Sequence, residues 1–380
     1  MNMFLPALVL LVAVGVVAFL LLRRGKDPVP VRLQSARTSP LPAPMPTPVA
    51  APPAQPVAAA TVPPELAAFQ LTPAHALVPA RTEALVKVFQ HVPRPPKLLH
   101  HLLSPDLFGS ASSSELVDLI RAEPLIAARV LATVNSPLYG LRSPVHSIGQ
   151  AVTYLGLDAV RSLCLQYILV DAFQADSPER QQVLDSTWRA SALASELMQH
   201  LARELGVPDP GPLVSAVVLS FLGRLATAAA LPRKLLAQVP RQGLLPRLVA
   251  EQQILHLASP EIGRLLMRHW GLPASIVNDA AGIDAMLVTA ADPAHPGQHL
   301  RAALGYLCAR LGEQLADGLR ADLVDFTLAG SDDPDWHHLF GHLNPALQQR
   351  VEVALQAPAL VASVARLLKS RQAEQAAAVQ

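Results

Sequence analysis

The chain has 380 residues, enough for one large domain or two small ones with ample material for a core. Hydrophobic residues make up 51% of it and aromatics only 4%, so Leu, Ala and Val carry the apolar load and helices packed on helices are favoured. A net charge of +1 excludes a global field that would draw the protein onto nucleic acid, and no nucleic-acid partner is expected.

The first element is an expected membrane span. Met3 to Leu22 reads MFLPALVLLVAVGVVAFLLL, without a charge. As a helix it covers roughly 30 Å, the hydrocarbon thickness of a bilayer. Arg23, Arg24 and Lys26 follow it, and no basic side chain precedes it. The positive-inside rule then places the N-terminus outside and the rest on the cytoplasmic side of a bacterial inner membrane. A cleaved signal peptide is the competing reading. It lacks the basic start and the small-residue cleavage site, and the apolar run is long for it.

Residues 27–70 form the second regime, a Pro/Ala-rich linker that cannot bury a core. Such a sequence favours polyproline II and would reach roughly 100 Å if fully extended. Its x-P-x-P repeats would also suit an SH3-like groove, but a spacer is the simpler reading.

From residue 71 to 369 the pattern is helical, and no alternating strand pattern of useful length occurs. The expected fold is therefore all-α: a single N-terminal transmembrane helix, a linker, then a multi-helix bundle, with residues 370–380 as a fraying tail. SSSELVDLIRAE opens with a serine cap signal, and the next helix is read with Leu125, Ala128, Val130, Leu131 and Val134 on one apolar face. Further helices are expected over 158–172, 177–205, 212–230, 246–258, 260–270, 299–315 and 345–368. Cys164 and Cys308 sit inside apolar helical patterns and read as reduced core residues.

One corner is unusually specific. Asn135 ends a helix, Pro137 blocks its continuation, and Gly140 permits an unusual backbone at the exit. Ser147 then caps a new helix and Gly156 separates it from the next, with the Tyr139 ring expected to pack in the corner and its hydroxyl to find a partner. The order of these signals resembles the HDOD family, a degenerate branch of the HD phosphohydrolases. The likeness rests on Glu123-Pro124, on N-S-P-L-Y-G with Asn135, Ser136, Pro137, Tyr139 and Gly140, and on SIGQAVTYLG ending at Gly156. Trp188 and the later EIGRLLMRHWGLP, with Trp270 and Pro273, complete it, and it spans residues 92–315.

HD hydrolases hold one or two divalent metals with histidines and aspartates, and a metal-bound water attacks a phosphate ester. By this resemblance Ser220 and Phe221 stand where the His-Asp pair belongs, in the apolar run VSAVVLSFLGRLATAAALP, read as one buried helix. Ile283 and Asp284 stand at the His-His positions and Ala309 at a later aspartate. The resemblance therefore implies a site without catalytic residues, metal or cofactor.

Other candidates are weaker. His338 and His342 are four apart and would share a helix face, a spacing that can bind zinc, but a helix start with acidic first-turn residues and surface histidines explains them more simply. The basic run Arg224, Arg233, Lys234, Arg241 and Arg247 has no acid among it and would contact an anionic lipid, an acidic partner or a phosphate, or form a solvated face that pairs internally.

The expected function is a membrane-anchored, non-catalytic HDOD-like module for signal transduction or scaffolding, acting on unidentified protein partners. A phosphohydrolase with a rearranged site and a purely structural membrane protein are the alternatives. The family implies regulatory contexts, cyclic-dinucleotide pathways among them, but no residue here selects a cyclic dinucleotide.

Overall fold

The computed structural model describes residues 61–89, 95, 97–104, 113–295, 297–328 and 333–378. The expected anchor and nearly all of the linker lie outside them. Among the described residues every regular element is helical.

The domain begins before residue 71. Helix α1 (Pro64–Ala67) already buries Leu66. The backbone then docks: Thr72 N donates to the Gln252 side chain, Gln252 donates back to the Gln70 carbonyl, and Ala74 N donates to Glu261. Side chains from the body of the domain thus satisfy backbone groups in a segment too rich in Pro and Ala to fold alone.

Helices α2 (Pro79–Phe89), α3 (Lys97–Leu102) and α4 (Ser113–Arg121) lead into α5 (Pro124–Val134), α6 (Ile148–Leu155) and α7 (Leu157–Ala172). In α5 the buried stripe is Ile126, Val130 and Val134, and Leu125 and Ala128 are exposed. The expected apolar face was therefore rotated. In a run with an apolar residue at nearly every position, composition does not choose the face, and packing on α6 and α7 does. Ser147 caps α6 as expected, its Oγ accepting from Gln150 N at 3.2 Å. Gly156 has φ +88°, which lets α7 start at once in a new direction.

The long α8 (Pro178–Leu205) packs most extensively on α15 (Leu300–Ala316). Between them run α9 (Pro210–Ser220), α10 (Leu222–Ala230), α11 (Arg233–Leu236), α12 (Leu244–Leu255), α13 (Ser259–His269) and α14 (Ala274–Ala285). The stretch expected as one buried helix is α9 and α10 with a single turn at Phe221 between them. Taken together, Pro210–Ala230 is long and apolar enough to cross a membrane, yet 89% of its 18-residue apolar window is buried in the bundle.

The expected C-terminal helix over 345–368 is broken. After α16 (Leu339–His342), α17 (Pro345–Leu355) and α18 (Pro358–Ala378) meet at 58°. Pro358 cannot donate to the preceding turn and disfavours helical geometry at Ala357. The backbone of α18 continues helical to Ala378, through much of the segment read as a tail.

Candidate functional site

The candidate side chains gather chiefly at two places: the corner after α5 and the volume between α9, α10, α12, α14 and α15.

At the corner, Asn135 works through its side chain. Its backbone is right-handed, φ −82° and ψ −2°, so it does not supply a left-handed cap. Its Nδ2 donates to the carbonyls of Leu131 at 2.9 Å and Val145 at 2.8 Å, and its Oδ1 accepts from Val145 N at 2.7 Å. One amide thus clips both ends of the loop 136–144. Pro137 and Gly140 lie in the turn between, with Gly140 at φ +57° and its N–H on the Pro137 carbonyl. Tyr139 is half-buried; burial first, then Glu196, pushes its hydroxyl pKa up. Its hydroxyl has no hydrogen-bond partner among the described residues, contrary to expectation. Glu123 precedes α5 without a side-chain cap and Pro124 takes its first position. Trp188 and Trp270 are buried, and Pro273 precedes α14.

The helices that carry the positions aligned with HD metal ligands pack against one another. A Cβ on Gly305 of α15 would stand 3.1 Å from Ile283 of α14 and 3.2 Å from Val217 of α9, so the three helices touch there. Ser220 Oγ donates to the Val217 carbonyl of its own helix, and Phe221 is a buried ring. Ile283 and Ala309 are fully buried and carry no donor atoms.

Asp284 is the one ligand type left, and Arg310 Nη2 donates to it at 2.8 Å. Arg310 Nη1 also donates to Glu313 Oε2. Glu313 Oε1 accepts from Arg224 at 2.9 Å and from Arg247 at 2.8 Å. Each of these five side chains is less than a tenth exposed. Tyr306 lies under the Arg310 guanidinium, 5.3 Å from its ring centre, and donates to the Asp335 carbonyl at 2.6 Å. The Asp335 carboxylate accepts from Leu244 N and Leu245 N at the start of α12.

The electrostatics follow from burial and pairing. Burial would raise the Glu313 carboxyl, but Arg247, Arg310 and Arg224 overcome it and hold the pKa at about 2. Burial raises Asp284, and Arg310 pulls against the rise. Glu251, which accepts from Ser259 N at 2.7 Å, is also pushed up by burial, with Arg247 opposing.

A divalent metal needs several convergent imidazole, carboxylate or thiolate donors. Among the described residues no group of three or more His, Cys, Asp or Glu side chains is placed to hold one, and a guanidinium already occupies Asp284. The residues present do not fit a divalent ion at this position.

Reading the sequence missed Arg310, Glu313 and Tyr306, and it weighed Asp335 only within the acidic helix start beside His337 and His338. Arg310 and Glu313 did carry a signal: a charged pair at i, i+3 within the apolar run of α15. The basic run is not one surface either. Arg224 and Arg247 are buried in the network, Arg233 pairs with Glu179, and Arg241 reaches Gln182 at 3.1 Å from an exposed position. Lys234 is exposed. His342 bonds the Thr289 carbonyl and His338 lies beside His337. Cys164 and Cys308 are buried free thiols, and burial pushes Cys164 up to about 12.

The HDOD domain family matches residues 92–285, just over half of the chain. The chain belongs to the HDOD family. Its HDOD match stops at the end of α14, short of residue 315, where the resemblance read from sequence ended. Among solved structures, an HDOD domain protein of unknown function from Geobacter sulfurreducens aligns at TM-score 0.53 and 18% identity, over 75% of this chain and 97% of its own. A Marinobacter aquaeolei VT8 protein assigned by name to signal transduction aligns at TM-score 0.50 and 21% identity, over 76% of this chain and 66% of its own. A Shewanella amazonensis SB2B protein named as a phosphohydrolase aligns at TM-score 0.46 and 20% identity, over 75% of this chain and 98% of its own. No curated protein matches the chain.

Proposed function

We propose that this HDOD protein is a membrane-anchored, non-catalytic signalling or scaffolding module. It acts through protein contacts on the cytoplasmic side of a bacterial inner membrane. The observation that carries this reading is the Arg310–Asp284 pair. The one carboxylate at a ligand position is neutralised by a guanidinium that is itself held by Glu313. A metal would have to displace that cation from a buried site, at the cost of leaving it unpaired. The signal-transduction name of the Marinobacter protein supports the same direction. The apolar run from Met3 to Leu22 and the basic residues after it support the anchor.

The test is elemental analysis of the purified chain, together with phosphodiester turnover in added Mn²⁺ or Fe²⁺. The expected result is neither stoichiometric metal nor turnover, alongside specific crosslinking to protein partners in the native cell. Turnover that Asp284→Asn abolishes would overturn the proposal.

A further inference from the structure

The buried ion network has an open end. A cavity of about 340 Å³ adjoins it, with Arg224 and Arg247 in its wall and Arg241 at its exposed rim. That volume falls within the range of small-molecule sites, about 300–1,000 Å³. Most of the remaining wall is apolar and includes Val183, Leu236, Val239 and Pro240.

The polar atoms at this end are incompletely used. Arg247 donates to Glu313 through Nη2, but its Nε and Nη1 are buried with no hydrogen-bond partner in the protein. The Thr227 hydroxyl, on the same wall, is buried and unpartnered as well. Buried donors without acceptors are costly, and charged ones most of all. Two acids share the wall, and neither meets that need. Glu179 bonds Arg233 through Oε1 while its Oε2 is buried without a partner, and Glu251 accepts from Ser259 N while burial favours its neutral form.

We propose that this cavity binds a small organic anion. Its carboxylate or phosphate accepts from Arg247 and Thr227, and its apolar body lies against Val183, Leu236 and Val239. Arg241 at the rim attracts the charge on entry. The site is one of binding without turnover, and it stands whether or not the domain works through protein partners.

Calorimetric titration of the full chain in non-ionic detergent tests this, with octanoate, adenosine monophosphate and inorganic phosphate as probes and chloride at matched ionic strength as the control. Saturable binding of octanoate or the nucleotide is expected, tighter than inorganic phosphate, and the tighter of the two identifies the head group. Thr227→Val removes a hydroxyl that bonds nothing in the protein, so melting is expected to stay unchanged while affinity falls about tenfold. Arg241→Gln, at an exposed rim, is expected to weaken binding without unfolding. No saturable binding of any probe overturns the proposal, and so does binding that both variants leave intact. Inorganic phosphate binding as tightly as the other two overturns the role of the apolar wall.

Discussion

Glu313 answers three guanidinium groups from three helices: Arg224 of α10, Arg247 of α12 and Arg310 of its own α15. Its pKa of about 2 lies below the ordinary glutamate value of about 4.3. A depressed carboxylate stabilises the fold above the unfolded value, and that contribution is lost as pH falls toward the folded one. Two units correspond to about 3 kcal/mol, disappearing between pH about 4.3 and about 2. Glu251 has the opposite sign, because its raised pKa favours the fold at low pH and loses that contribution as pH rises. Glu313→Gln is therefore expected to cost about 3–5 kcal/mol at neutral pH, since it leaves buried cations unanswered, and to flatten the acid limb of the stability curve. Denaturant titrations across pH check both, and an unchanged acid limb would show that Glu313 is not the keystone. Asn135→Leu removes three hydrogen bonds but sits at an exposed position where water replaces part of them, so about 1–2 kcal/mol is expected by thermal melting. The corner was legible in sequence because its residues are local. The network was not, because Glu313 meets Arg224 across 89 positions and only folding pairs them.

At the scale of elements, helix crossings are set by missing side chains. A Cβ on Gly223 of α10 would stand 1.8 Å from the Ser259 carbonyl oxygen of α13 and 3.2 Å from Gly263 N. Gly223→Ala therefore requires α10 and α13 to separate, and a loss of about 3 kcal/mol or more is expected. Gly282→Ala in α14 is the control, because nothing lies within 4 Å of its added carbon. It is expected to gain up to about 1 kcal/mol from helix propensity. Equal melting of the two variants would remove the close crossing as a constraint. The helices themselves were readable from periodicity in chain order, and Ser147 and Gly156 marked a junction correctly. What misled was local excess: an α5 apolar on most sides, and a C-terminal pattern whose period continues past Pro358 although its backbone does not.

For the whole molecule, the proposed anchor makes a separable prediction. Deleting residues 3–22 is expected to move the protein from the membrane fraction to the supernatant and to leave the melting of the HDOD domain unchanged. Retention at the membrane after deletion would point to attachment elsewhere in the chain. The obvious rival for attachment is Pro210–Ala230, which by length and mean hydropathy passes for a span. Arg224 lies within it, and a charge carried into mid-bilayer costs about 2.5–3.5 kcal/mol on insertion scales. Under the proposed anchoring, the sequence offers a membrane one charge-free segment, Met3–Leu22, and a second that bears a cation. The arginine that later closes the ion cluster thus also weighs against the bundle's core helix being threaded into lipid before its neighbours exist.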